Sequence, residues 1–199
     1  MKKTLLSSLT ALAILSTSAL HADEIIDQMN TAIEAYKDKD YKGAMDELKF
    51  TIAQMQKLDD AENQKLLPSA LDGWSMTIGD NGTQAAMSML GGGGTSIEAN
   101  YSKDNESINI QILANSPMIS MMSMMINNPM IAQSDPSTEA YRYKRIKGIK
   151  KKDGSTTEIT LLIVGQIILK LSGTNLKDDA VLEQYLDVID IKKLKSSLL

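Results

Sequence analysis

The stretch TTEITLLIVGQIILKLS, residues 156–172, decides the fold. Apolar residues alternate with other residues before and after a central Val-Gly step, which is typical of two antiparallel strands joined by a tight turn. The pattern predicts strands over Thr156–Val164 and Gln166–Ser172. Leu162 and Ile168 add apolar side chains to the second side of these strands. We therefore expect both faces of the sheet to be partly covered.

Further strands and helices are predicted on both sides of this hairpin. Strands are expected at Trp74–Ile78, Thr95–Ser102, Glu106–Ala114 and Glu139–Lys150, helices over Pro117–Asn127 and from Leu176, and a final turn around Ile191 and Leu194. Ser116 is expected to cap the first of these helices, with Pro117 at its first position. Residues 66–199 are thus predicted to form an α+β domain of order β-β-β-α-β-β-β-α, with helices packed on an antiparallel sheet.

Residues 23–65 have a helical period instead. Apolar residues recur at intervals of three and four on both sides of the polar sequence KDKD at 37–40, which predicts two antiparallel helices. The residues Tyr36, Asp40-Tyr41, Ala44 and Leu48 resemble the core of one tetratricopeptide repeat. Lys39 stands where that repeat usually has Gly. We expect either a hairpin that caps the next domain or one that docks a partner through Tyr36 and Tyr41.

The first 22 residues have the features of a secretory signal peptide. A basic start at Lys2-Lys3 precedes an apolar stretch over Leu5–Leu20 and a small Ala22. The chain has a net charge of −4, and no later segment is apolar enough for a membrane span. We expect export to the periplasm of a Gram-negative cell, with secretion to the medium as the alternative. Neither a transmembrane anchor nor nucleic-acid binding is expected.

The side-chain inventory limits the available chemistry. The chain has no cysteine, and its one histidine, His21, lies in the predicted signal peptide. The mature chain would lack the usual general base, the thiol nucleophile and the usual zinc or haem ligands. We expect no enzyme activity and no cofactor. A carboxylate-dependent hydrolase stays open as an alternative. Its acids would be drawn from strand-flanking positions, namely Glu98, Asp104, Glu106, Asp153 and Glu158.

Methionines are concentrated in the predicted helix at Pro117–Asn127. Met118, Met121, Met122 and Met125 follow the spacing of one helical face, which predicts a stripe packed on the core. Two functional alternatives stay open. One is a groove for a flexible apolar ligand or partner. The other is a Cu(I) site in which Met118/Met121 and Met122/Met125 supply pairs of thioethers.

Tyrosines and basic residues alternate in YRYKRIKGIKKK, residues 141–152. This pattern predicts a surface for anionic headgroups or an acidic protein, centred on Tyr141, Arg142, Tyr143 and Arg145. The alternative is the solvated face of a hairpin, where lysines also discourage edge-to-edge strand pairing.

The element order of residues 68–198 resembles the PsbP-like fold. Leu67-Pro68 and Gly73-Trp74 at the opening, Leu169–Gly173 on the last strand and Asp190-Ile191 near the end also resemble a group of uncharacterised exported proteobacterial proteins. The resemblance implies a non-enzymatic accessory or binding protein that presents a surface to a protein or an amphiphilic ligand. It supplies no catalytic residues.

Overall fold

The structure is a computed structural model. It describes residues 17–79, 94–128 and 135–199, with side chains from residue 24 onward. The chain forms two compact units, which divide between Asp60 and Ala61. Residues 1–16, most of the predicted signal peptide, lie outside the described ranges. Within those ranges no helix is both long enough and apolar enough to cross a membrane.

The first unit contains the predicted helical hairpin. Helix α1 is Thr17–Lys37, and helix α2 is Tyr41–Gln64, whose last four residues belong to the second unit. At the end of α1 the Asp40 N–H donates to the Ala35 carbonyl at 2.9 Å, and Lys39 has a left-handed φ of 64°. This is a Schellman cap. The Asp40 carboxylate then accepts the Gly43 N–H at 2.9 Å and caps α2.

One antiparallel sheet dominates the second unit. Its seven strands within the described residues are β1 (Ser75–Ile78), β2 (Thr95–Lys103), β3 (Glu106–Ala114), β4 (Thr138–Tyr143), β5 (Ile146–Asp153), β6 (Thr156–Ile163) and β7 (Ile167–Thr174). The helices are α3 (Met118–Asn127), α4 (Ala180–Val188) and α5 (Ile191–Leu198). The predicted α+β class with an antiparallel sheet is confirmed.

The order of the strands is β1-β2-β3-β7-β6-β5-β4. Strands β3 and β7 pair at the centre, with Ile110 opposite Leu171, although α3 and three strands separate them in the chain. After β3 the chain forms α3 and re-enters the sheet at the far edge, in β4. It then returns to the centre through successive hairpins. The connection between β3 and β4 includes α3, which packs against one face of the sheet.

From residue 75 onward, the order of elements in the described residues is β-β-β-α-β-β-β-β-α-α, with one strand and one helix more than the predicted order. Residues 139–150, predicted as one strand, belong to two antiparallel strands, β4 and β5, joined by a tight turn at Lys144-Arg145. Both residues have positive φ, 43° and 71°, as in a type I′ turn. Asn and Gly are the usual residues in such a turn, so the Lys-Arg step gave no turn signal. The predicted final turn is a complete helix, α5, and the helix before it begins at Ala180 rather than Leu176.

Two apolar clusters cover the two faces of the sheet. The larger cluster lies on what we call the core face, where α4, α5 and Leu66-Leu67 pack on the strands. There the Tyr101 hydroxyl donates to the Pro68 carbonyl at 2.6 Å, and burial raises the pKa of Tyr101. The smaller cluster lies on the opposite face, which we call the α3 face. It includes Leu162 and Ile168, which confirms the prediction that both faces are partly covered.

Candidate ligand cleft

Helix α3 packs on the sheet through isoleucines at either end. Ile119 and Ile126 are buried, and Met122 and Met125 pack beside them against the apolar residues of the α3 face, namely Leu113, Ile149, Leu162 and Ile168. The Ser116 hydroxyl accepts the Met118 N–H at 3.3 Å, and α3 starts one residue later than predicted. Because the four residues beneath α3 belong to four strands, the helix crosses the middle of the sheet.

Only two of the four methionines in the predicted stripe, Met122 and Met125, pack against the sheet. Met121 is 76% exposed and Met118 is 56% exposed, so the prediction that all four methionines face the core was wrong. Ile119 and Ile126 take the buried positions, seven residues apart and therefore on one helical face. That signal is present in the sequence, where the more numerous methionines obscured it.

A cleft of about 410 Å³ opens beside α3 on the α3 face. Met118, Met122 and Met125 form one wall, over a floor of Leu113, Ile149 and Ile168. The remaining lining residues are polar or charged, namely Gln111, Asp135, Thr138, Lys151, Glu158, Thr160 and Lys170. The strand register explains this division. Gln111, Lys170 and Thr160 stand side by side on β3, β7 and β6, in one row with Ile149 of β5 and next to the apolar row of Leu113, Ile168 and Leu162.

The charged side chains of the cleft form two ion pairs. Lys170 lies 2.8 Å from Glu158, and Lys151 lies 3.1 Å from Asp135. Lys151 also stands opposite Glu158 on the neighbouring strand. The two pairs therefore form a short line of alternating charge along one side of the cleft, with two positive and two negative groups.

The pKa of Asp135 is strongly perturbed by its hydrogen bonds. The Ser137 hydroxyl donates to the Asp135 carboxylate at 2.6 Å and the Ser137 N–H at 3.0 Å. These hydrogen bonds, with the Lys151 ammonium, hold the pKa of Asp135 well below its usual range. The same ion pair raises the pKa of Lys151. Both groups are thus charged at neutral pH, next to an apolar wall.

Sequence patterns alone did not single out the polar side of the cleft. Lys151 belongs to the basic run and Glu158 to the strand-flanking acids, but neither pattern connects its residue with Lys170 or Asp135. The alternation in β6 and β7 does place Glu158, Thr160 and Lys170 on one face. This alternation could therefore have predicted part of the polar side of the cleft.

The tyrosines of the basic run lie on the core face. The Tyr141 hydroxyl donates to Glu183 at 2.9 Å, and the Tyr143 hydroxyl donates to Asp187 at 2.5 Å, so β4 is tied to α4. Partial burial, with the hydrogen bond to Glu183, raises the pKa of Tyr141 to about 12. Both tyrosines therefore have a structural role, because they connect β4 to α4.

Lysines of the run form ion pairs, whereas its two arginines are exposed. Lys144 pairs with Asp187 at 2.8 Å, and Lys152 pairs with Asp179 at 2.9 Å. Arg142 and Arg145 are exposed. The structure thus separates the predicted set of Tyr141, Arg142, Tyr143 and Arg145 into two inward tyrosines and two exposed arginines.

The predicted acids are spread over both faces of the sheet. Glu98 and Glu158 share the α3 face but lie three strand spacings apart, roughly 14 Å, which exceeds the separation used in glycoside hydrolysis. Asp104 and Glu106 meet at Lys177, 3.5 and 3.4 Å from its ammonium. Glu106 is buried there and accepts the Lys177 N–H. Asp153 is exposed at the end of β5. No group of three or more such acids in the described part of the chain is placed to hold a metal ion.

The hairpin tyrosines lie together at the turn of the first unit. The rings of Tyr36 and Tyr41 are 5.6 Å apart in an edge-to-face arrangement, and both side chains are exposed.

Comparison of the whole chain with protein-family models, curated proteins and solved structures finds no match.

Proposed function

We propose that this chain is an exported, non-enzymatic binding protein whose α3 cleft takes an amphiphilic ligand. The observation that carries the proposal is the division of the cleft into a methionine wall and a line of paired charges. An apolar chain would lie along Met118, Met122 and Met125. Its polar head would exchange hydrogen bonds with Lys170, Glu158 and Lys151.

The chemistry of the two sides supports this ligand class. Methionine is unbranched and polarizable, so a wall of methionines adapts to flexible apolar chains. The cleft volume of about 410 Å³ falls within the range of small-molecule sites. Because the charges are already paired, a neutral or zwitterionic head costs less to accommodate than a net charge would.

A matched pair of methionine variants tests the proposal. Met122→Gln places an amide in the cleft, whereas Met121→Gln changes an exposed side chain outside the cleft. The ligand would be lauroyl-lysophosphatidylcholine below its micelle concentration, titrated by calorimetry. We expect Met122→Gln to weaken binding by about tenfold, since burying the amide costs about 1–2 kcal/mol, and Met121→Gln to leave binding unchanged. Equal effects of the two variants, or no binding by the unaltered chain, would contradict the proposal.

Copper binding is a second candidate, favoured by the convergence of three thioethers on one wall. Met118, Met122 and Met125 line the cleft together, which replaces the pairing of Met118 with Met121 predicted from spacing. Thioethers are ligands for Cu(I). Changing all three to Leu removes the sulfurs and keeps an apolar wall. Loss of Cu(I) affinity in this variant, with lipid binding retained on the apolar wall, would support a copper site, and an unchanged Cu(I) affinity would contradict it.

Export and family membership are part of the same proposal. The support for export is the signal-peptide pattern of residues 1–22, and the support for a PsbP-like domain is the set of short motifs in residues 66–199. N-terminal sequencing of the protein released by osmotic shock tests the first point. We expect the mature chain to begin at Asp23. A full-length chain in the cytoplasmic fraction would contradict export.

A further inference from the structure

The helical hairpin of the first unit exposes most of its large apolar side chains. Among residues 24–60 the buried side chains are Ala32, Ala44 and Thr51. The contact between the helices is therefore made by small residues, supported by a hydrogen bond from the Gln28 amide to the Glu47 carboxylate. Such a contact brings the helices close together and leaves the larger residues outside it.

Nine of these exposed residues form one surface, which we call the hairpin face. Its members are Ile26, Met29, Ile33 and Tyr36 of α1, and Tyr41, Met45, Leu48, Ile52 and Met55 of α2, with exposed fractions from 40% to 64%. Within each helix they recur at intervals of three and four residues, as in the seam of a helical bundle. In each helix the stripe residues come one position after the residues of the interhelix contact, as Ile33 follows Ala32 and Met45 follows Ala44. Each stripe therefore lies about 100° around its helix from that contact. Because the helices are antiparallel, the two rotations bring both stripes to the same side.

The hairpin face is large enough for a stable interface. Its nine side chains expose on the order of 80 Å² each, or about 700 Å² per chain, close to the roughly 800 Å² that each partner contributes to a standard interface. Monomeric soluble proteins rarely leave so large an apolar area uncovered.

We propose that the hairpin face binds the same face of a second copy of this chain, forming a four-helix bundle by two-fold symmetry. Two antiparallel helices with seam spacing are half of such a bundle, and a self-complementary apolar face is what a two-fold interface requires. The arrangement predicts that Tyr36 and Tyr41 of both copies cluster at one end.

Charges along the outer edges of the face select this arrangement. The residues that follow the stripe positions include Asp27, Glu34 and Lys37 on α1, and Lys42, Asp46 and Lys49 on α2. The α1 edge is thus net acidic and the α2 edge net basic. With the symmetry axis parallel to the helices, α1 of one copy lies antiparallel to α2 of the other. Glu34 is then nearly level with Lys42, and Asp27 with Lys49. The other two-fold arrangement would place like edges together.

Sedimentation equilibrium of the mature full-length chain tests the proposal. We expect a monomer–dimer equilibrium between about 2 and about 200 μM, at the weak end of the affinities that interfaces of standard size show. Leu48→Glu places a charge in the face and should weaken dimerisation at least tenfold. The matched control is Phe50→Glu, which changes an equally exposed residue about 200° around α2, on the opposite side. It should leave the dimer intact.

A charge exchange gives a second readout that a folding defect would not reproduce. Lys42→Glu with Lys49→Glu should weaken the dimer, and adding Asp27→Lys with Glu34→Lys should restore it. A chain that stays monomeric at about 200 μM would overturn the proposal. This holds equally if the face is protected within the monomer and if it binds vesicles of phosphatidylethanolamine and phosphatidylglycerol. Equal effects of Leu48→Glu and Phe50→Glu would also overturn it. Lipid binding at the α3 cleft is measured separately and depends on neither result.

Discussion

Lys39 shows how one residue can carry conformational strain at a turn. Its φ of 64° closes the Schellman cap of α1, in a region that costs a residue with a Cβ about 1 kcal/mol relative to Gly. We expect Lys39→Gly to stabilise the hairpin by about 1 kcal/mol and to slow amide exchange in residues 24–60 about fivefold. Lys42→Gly, in the first turn of α2, should destabilise it by a similar amount. If both variants speed exchange, the strain at Lys39 is not significant.

The acid Asp135 should titrate below the usual range for aspartate. Since its pKa in the folded chain is depressed, its ionised form stabilises the fold above about pH 4, and this contribution is lost as the pH falls further. Ser137 is the largest cause, so Ser137→Ala should raise the pKa of Asp135 more than Lys151→Met does. Carboxyl chemical shifts followed by NMR between about pH 2 and 6 measure both changes. The reverse order would assign the shift to the ion pair.

Two tyrosines join edge strand β4 to helix α4. Tyr141 and Tyr143 each donate a hydrogen bond to an acid on the helix, Glu183 and Asp187. Removing either hydroxyl should cost about 0.5–1.5 kcal/mol of unfolding free energy, the net value of such a bond. We expect Tyr141→Phe and Tyr143→Phe to lower the urea midpoint, and Arg142→Gln, on the exposed face of the same strand, to leave it unchanged. Unaltered midpoints in both Phe variants would show that these contacts add nothing to stability.

The elements differ in how far their sequences specify them. The β6–β7 hairpin was predictable because its alternation and its Gly165 turn agree. The division between β4 and β5 was not, because the Lys144-Arg145 turn is imposed by pairing on both sides rather than by local preference. In α3 the helix itself was predicted correctly. Which side of it faces the sheet was decided by two isoleucines, which pack more rigidly than the surrounding methionines.

At the scale of the whole molecule, the candidate cleft depends on pairings distant in the chain. Gln111, Glu158 and Lys170 come from three strands that meet only because the β3–α3–β4 connection sends the chain to the far edge. Without an indication of that crossover, sequence alternation predicts which face each residue occupies but not which neighbours it meets. The hairpin differs, because its contacts are local and its period can be read directly.

The two compact units differ greatly in what they bury, and this predicts how the molecule unfolds. The first unit buries small side chains such as Ala32 and Ala44, whereas the second has two apolar clusters around its sheet. Ordering the backbone costs about 1–2 kcal/mol per residue, which so small a contact cannot offset without further burial. We expect the hairpin to unfold at lower urea than the sheet. Pairing of hairpin faces would raise the hairpin midpoint with protein concentration, since association stabilises by mass action.

Two spectroscopic signals separate these transitions within one titration. Trp74, the one tryptophan, packs edge-to-face on Tyr185 in the second unit, so its fluorescence reports the sheet. Circular dichroism at about 222 nm is dominated by α1 and α2, the two longest helices described. The helix signal should be lost first, at a midpoint that rises between about 2 and about 200 μM protein, while the fluorescence midpoint stays fixed. If both midpoints coincide and do not change with protein concentration, the hairpin is stabilised by contacts within its own chain. Stabilisation by a second copy would make the hairpin midpoint depend on protein concentration.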